Sequence, residues 1–358
     1  MMKLSNGNLV DATGKTTFVS IEAFESEVCN SDVCILCTKV LESGNHNKEH
    51  VIPNWILKKF NLHNETVNLP NGTKFKYGQY VIPCCIECNS LLSEELEVPL
   101  SKAFSGGFDG VMEYLKQDGY LKVYLWLALI FVKTHIKDQS LRMYLNKNLE
   151  HKSIAEGVGY EWEIFHHIYC LSRVPYTKSN LDSNCIGSLF FIEIDNVDNE
   201  KDFDYMDVSF ANTSGIIVNN VGVIAVFGDA GAVENQLRYS VLPKLGQTVT
   251  SMQFRELVAN FACCNLHLKN PPNHSTISDE SGIHPPTMIC KLNGSKPDFE
   301  SYKQDVFGNI MDMLLGELLD GKVAMDNFRE RLRKGEVSIL FDSSGELISP
   351  NKLLKSDS

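Results

Sequence analysis

The sequence has no excess of basic charge. Its 358 residues carry 33 Lys and Arg against 45 Asp and Glu, a formal charge of −12. That balance argues against tight, sequence-independent coating of a nucleic acid. Residues 1–105 contain no arginine, nine lysines and twelve acids, so this segment is slightly negative too. A small site touching only a few phosphates is still compatible with such a count, and Lys58, Lys59, Lys74 and Lys76 are local cations for one. Long apolar runs are missing as well. The most apolar stretch, residues 120–132, is interrupted by Lys122 and closed by Lys133. It is too short to span a bilayer and reads as a buried helix, so no membrane association is expected. The chain opens on polar residues, Met1-Met2-Lys3-Leu4-Ser5-Asn6-Gly7, rather than on a basic-then-apolar leader. Its eleven cysteines are odd in number and spread over a long chain, which disfavours a disulfide framework. A reducing, cytoplasmic setting is the expectation. The hydrophobic fraction of 43% and charged fraction of 22% are ordinary for a folded protein of two or three domains.

What the chain does have is a pattern of cysteines. Cys34-x-x-Cys37 and Cys85-x-x-Cys88 form two knuckles, and Asn89 follows the second directly. Zinc prefers four soft ligands in a tetrahedron, and two such pairs are a common way of supplying them. Cys84 abuts the second knuckle and competes with Cys85, although only Cys85 has the two-residue spacing to Cys88. Cys29 falls outside the pattern and reads as a plain thiol. Between the knuckles lies Glu49-His50-Val51-Ile52-Pro53.

Around these residues the chain reads as alternating short elements. A strand is expected near residues 16–21, and a short helix from Pro53 through Phe60, with the proline tolerated in its first turn. Asn71-Gly72 between alternating residues predicts a hairpin. A strand through residues 80–82 enters the second knuckle, and Leu91, Leu92, Leu96 and Leu100 set a helical period beyond it. Pro99 leaves open whether that helix ends or kinks. The order knuckle, strand, Glu-His, insertion, strand, knuckle, helix suits a compact zinc-stapled ββα unit.

In these residues the chain resembles the HNH endonucleases, which have a ββα-metal fold. The resemblance covers roughly residues 30–100 and rests on Cys34-Ile35-Leu36-Cys37, Lys48-Glu49-His50-Val51-Ile52-Pro53 and Cys85-Ile86-Glu87-Cys88-Asn89. It implies a metal-dependent endonuclease acting on DNA, with RNA as a second possible substrate. Glu49 and Asn89 would bind a catalytic Mg²⁺ or Mn²⁺, His50 would be the general base, and the four cysteines would hold a structural Zn²⁺. A carboxylate and an amide oxygen are hard donors suited to such a cation, and an imidazole neutral near pH 7 can take a proton from water. A defence setting follows from the same resemblance.

Two positions depart from the family pattern. An asparagine that often supports the loop of the base is replaced by Tyr80, and a further histidine ligand by Ser93. Asn89, Ser93 and Glu97 share a helix face, so Ser93 and Glu97 are possible accessory residues; Glu94, Glu95 and Glu97 also read as a solvated acidic face. Asn89 suits a helix N-cap as well, His50 a hydrogen-bonded core position, and Glu49 a surface pairing with Lys48 or Lys59. His46 reads as a loop histidine, His166-His167 as part of an amphipathic strand, and Cys263-Cys264-x-x-His267 as core thiols.

The expected fold class is α+β. A nuclease unit over residues 1–105 is followed by a larger α+β domain over 106–358, helical at 108–150, strand-rich at 160–245, and helical then hairpin at 300–350. Strands are expected at 162–170, 188–194, 206–210, 215–218 and 221–227. Gly228-Asp229-Ala230-Gly231 reads as a turn, and Arg329, Arg331, Arg333 and Lys334 form a basic run. Substrate recognition, signal sensing and oligomerisation are all open for this part. A non-catalytic zinc-ribbon module, or a nuclease kept silent by the C-terminal domain, are the alternative readings.

Overall fold

The chain divides into two compact units. The structure, a computed structural model, describes residues 2–30, 33–42, 44–195, 202–278, 284–319 and 327–349. The first unit comprises residues 1–103, 114–185 and 274–290, and the second residues 104–113, 186–273 and 291–358. The boundary expected near residue 105 thus falls inside a crossing between them, because residues 114–185 return to the cysteine-bearing unit. The fold class is α+β, as expected.

In the first unit, strand β1 (His46–His50) pairs antiparallel with β2 (Val81–Cys85), with Glu49 opposite Ile82 and His50 opposite Val81. Helix α1 (Ile86–Leu92) follows β2 without a loop. Pro99 does not end this helix. Residues Ser93–Glu97 form one wide turn, in which the Val98 N–H donates to the Ser93 carbonyl, and helix resumes over Val98–Ser105. Proline has no N–H to give, and a wide turn next to it is a recognised way of absorbing the lost bond. The Asn-Gly hairpin forms as expected, with Thr66–Asn68 paired to Lys74–Lys76 and Gly72 in the left-handed region at φ 76°.

Helix α2 (Tyr120–Gln139) is apolar on all sides and buried along most of its length, Lys133 included. The helical expectation for 108–150 overreaches at its end. Beyond Ser140 the backbone is irregular, tied by one bridge between Arg142 and Ser153. Trp162–Ser172 is a helix, α3, and not the strand expected for residues 162–170. Phe165 and every residue from Ile168 to Ser172 are buried, so its C-terminal half is enclosed on all sides, and its aromatic and β-branched content read as a strand.

The second unit is built on a five-stranded sheet. Its strands are β3 (Leu189–Ile194), β4 (Phe203–Val208), β5 (Thr213–Val218), β6 (Val221–Val226) and β7 (Thr248–Val249), in the order β4-β5-β6-β3-β7. All pairs are antiparallel except β7 with β3. Three of the strands lie where expected, and β7 was not foreseen; the strand foreseen at 206–210 starts earlier, at Phe203, and ends at Val208, before a short turn. Helix α4 (Ser251–Leu266) packs tightly on the sheet. A Cβ at Gly215 would lie 2.5 Å from Val258, and one at Gly222 2.6 Å from Phe254, so both strands need glycine for that approach. Helix α5 (Gln304–Leu319) and a short helix, Phe328–Arg333, complete the layer, and residues 320–326 of the expected helical stretch lie outside the described residues. The last hairpin is a single bridge, Phe341 to Leu347, around a turn capped by Asp342, and residue 350 lies outside the described residues.

Candidate functional site

The first knuckle is held by its own backbone and by two buried side chains. Cys34 N–H donates to the Lys39 carbonyl and Thr38 N–H to the Cys34 carbonyl, both at 2.9 Å. Thr38 takes a left-handed conformation (φ 60°) to close the turn, a strain of about 1–2 kcal/mol that the surrounding bonds sustain. The two carbonyls between the cysteines are also occupied. The Tyr169 hydroxyl donates to Ile35 at 3.0 Å, and the Arg173 Nε donates to Leu36 at 2.7 Å. Arg173 reaches on to the Thr16 carbonyl at 2.7 Å and is only 1% exposed. Helix α3 and the residue after it are therefore the mould in which the knuckle is cast.

The second knuckle comes from the end of β2 and the first turn of α1. It brings Cys85 and Cys88 to Cys34 and Cys37, and the four sulfurs lie within 4.8 Å of one another, all buried. Cys37 and Cys85 sulfurs are 3.7 Å apart; a zinc–sulfur bond of about 2.3 Å would place tetrahedral sulfurs about 3.8 Å apart. Soft donors at this spacing fit a four-coordinate ion. Their proton affinities agree. Hydrogen bonds from Cys37, Cys84 and Cys88 pull the Cys34 thiol far below its ordinary range, and Cys34 in turn pushes Cys37 and Cys88 up. Burial lifts Cys85 to about 12. One thiolate forms readily and then opposes the others, a repulsion that a dication among them would relieve. Cys84 stands outside the four. Its sulfur lies 3.9 Å from that of Cys34, and its thiol is held up by Cys34 and by burial, so it serves as a neighbour to that sulfur. Cys29 also stands apart, buried and with its thiol raised by burial.

The same strand pair positions Glu49 and His50. Glu49 is 6% exposed. Its Oε1 accepts from the Lys133 Nζ at 2.7 Å, and its Oε2 from the Asn89 Nδ2 at 3.0 Å. Lys133, fully buried on α2, also donates to the His50 carbonyl at 2.7 Å. Glu97 joins the group one helical stretch beyond Asn89. Burial first, and then the charge of Glu49, lift its carboxyl to about 7, while Lys133 pulls the other way. Ser93 is half-buried between them in sequence, in the wide turn.

His50 is half-buried. Burial lowers its pKa, opposed by Glu49, which favours the neutral ring. The Gly78 backbone accepts a hydrogen bond from the imidazole, and His63 lies edge-on at 5.9 Å, its Nε2 2.9 Å from Asn54 Oδ1. The loop after His50 is held through the backbone of Tyr80, whose carbonyl accepts from Val51 N–H at 2.9 Å. Gly78 and Tyr80 thereby supply main-chain support where the family pattern has a side-chain asparagine.

The donors around Glu49 do not fit a divalent cation as they stand. One carboxylate oxygen is committed to a buried ammonium and the other to an amide N–H₂. Among the described residues, the four cysteines are also the one group of three or more His, Cys, Asp or Glu side chains close enough to hold an ion. Lys133, Gly78, Tyr169 and Arg173 were not singled out as site residues from the sequence.

The remaining motifs fall elsewhere. His46 is exposed, with Nδ1 3.1 Å from the Glu42 carbonyl. His166 lies 2.8 Å from the Val19 carbonyl, and His167 stacks on His274 at 3.6 Å between ring centroids. Cys263 is buried in the core of the second unit, its sulfur 3.8 Å from His267 Nδ1. Asp229, in the expected turn, accepts from Ser188 N–H and hydroxyl at 2.7 and 2.6 Å and from Val233 N–H at 2.9 Å. The basic run is paired throughout: Arg329 and Arg333 with Asp312, Arg331 with Glu336, Lys334 with Glu330. No single helix among the described residues is long and apolar enough to cross a membrane. No protein-family model, curated protein or solved structure matches this chain.

Proposed function

We propose that the first unit is an HNH-type endonuclease that hydrolyses phosphodiester bonds in DNA, on a ββα scaffold stapled by a structural zinc. The observation that carries this reading is the meeting of Glu49, His50 and Asn89. Residues from a strand and from the helix after the second knuckle lie together, with Asn89 3.0 Å from Glu49 and His50 the next residue on. The Cys34, Cys37, Cys85 and Cys88 sulfurs stand beside them, close enough to share one zinc. His50 would be the general base. Its neutral imidazole takes a proton from water, the water oxygen attacks phosphorus, and the bond from phosphorus to the 3′-oxygen breaks. The products are a 5′-phosphate and, once the departing oxygen is protonated, a 3′-hydroxyl.

The test is nicking of supercoiled plasmid by the full chain beside His50→Ala. Wild type should cut and the variant should not, with zinc content and unfolding temperature preserved in both. Cutting by His50→Ala at the wild-type rate would overturn the assignment of the base. Because His50 acts when neutral and its pKa is lowered, activity should rise with pH below about 6.5 and be flat at neutrality. A second reading, a zinc-stapled binding module without catalysis, draws on the neutralisation of Glu49 by Lys133; plasmid left intact by wild type under all conditions would favour it.

A further inference from the structure

We propose that Lys133 is the resident cation of the Glu49 site, and that this site takes no divalent ion. A fully buried lysine is costly unless its charge is paired and its protons are placed. Lys133 meets both conditions at once: its Nζ lies 2.7 Å from Glu49 Oε1 and 2.7 Å from the His50 carbonyl. It therefore neutralises the carboxylate and pins the backbone of the base with one group. Asn89 adds to the case, because its amide N–H₂ faces Glu49 Oε2 at 3.0 Å. An amide that shared a cation with Glu49 would instead turn its oxygen to that cation. A divalent ion entering beside Lys133 would meet a fixed positive charge at close range in a medium of low dielectric. Glu49 is on this view a positioning residue and not a ligand. Any role of this charge in hydrolysis rests on the nuclease reading above, but its presence does not.

The deciding experiment is Mn²⁺ titration of the full, zinc-loaded chain labelled with ¹³C-histidine, with and without a short DNA duplex. The His50 ring signals are assigned by their loss in His50→Gln. A Mn²⁺ ion held by Glu49 would broaden them at equimolar metal through its unpaired electrons. The expected result is no loss of His50 intensity relative to the other histidines, with or without duplex. Selective disappearance of the His50 signals at equimolar Mn²⁺ in either condition would overturn the proposal. Plasmid nicking, with and without Mg²⁺ or Mn²⁺, is followed in parallel and fails separately. Absence of cutting under every condition rejects the hydrolase, whereas the His50 signals alone judge Lys133.

Discussion

The four-cysteine cluster and the Glu49 site share a strand pair and a helix, yet they handle buried negative charge in opposite ways. At the cysteines every donor has the same sign. Arg173, a buried cation along the knuckle, spends its hydrogen bonds on the Leu36 and Thr16 carbonyls. That cluster needs an ion from outside. Glu49 has an ammonium from its own chain at 2.7 Å and needs none. Two neighbouring groups that both read as metal ligands in sequence are thus distinguished by one lysine.

The largest effect that would sharpen this contrast is loss of metal from the cysteines. Apparent zinc affinities at structural thiolate sites are worth about 10–16 kcal/mol near neutral pH, so stripping the ion, or Cys88→Ser, should abolish cooperative unfolding of the first unit. Near-ultraviolet circular dichroism beside zinc analysis reads both. Next comes the ion pair. Lys133→Met leaves Glu49 buried without its partner and should cost about 3–5 kcal/mol in denaturant unfolding. Adding Glu49→Gln to it should recover most of that loss. Equal destabilisation by the single and double variants would break the comparison.

A smaller effect belongs to Glu97. Its carboxyl is raised to about 7 in the folded chain from an ordinary 4.5, so the folded state holds the proton more tightly. Its contribution is therefore greatest below pH 4.5 and declines as pH rises towards 7. Glu97→Gln should remove that decline, about 2 kcal/mol, as a difference in stability between variant and wild type across this range. The smallest effect is at the surface. Lys178 and Glu95 form an exposed pair at 2.8 Å, and Lys178→Ala should change stability by less than about 1 kcal/mol and leave zinc content unaltered.

What could be read from the sequence was what is local. Each knuckle is four residues long, the Asn-Gly turn two, and the Glu-His pair sits on a strand whose partner ends in the second knuckle. The ββα order could therefore be laid out from spacing alone. Lys133 could not be found in this way. It lies 84 residues from Glu49 and in sequence merely closes an apolar run, where a lysine usually marks the return to solvent. Gly78 acts through its backbone, which no side-chain pattern announces. Residues 162–170 were misjudged because Trp162, Ile164, Ile168 and Cys170 fall on alternate positions while Phe165, Ile168 and Tyr169 have helical spacing, and the stretch is too short to separate the two; packing of α3 against α2 and the first knuckle decides between them.

The most direct measurement is equilibrium dialysis of the full chain against zinc and manganese together, followed by metal analysis of the protein compartment. One zinc per chain and no manganese above the free concentration is the expected result. A second bound ion that disappears in Glu49→Gln would contradict it.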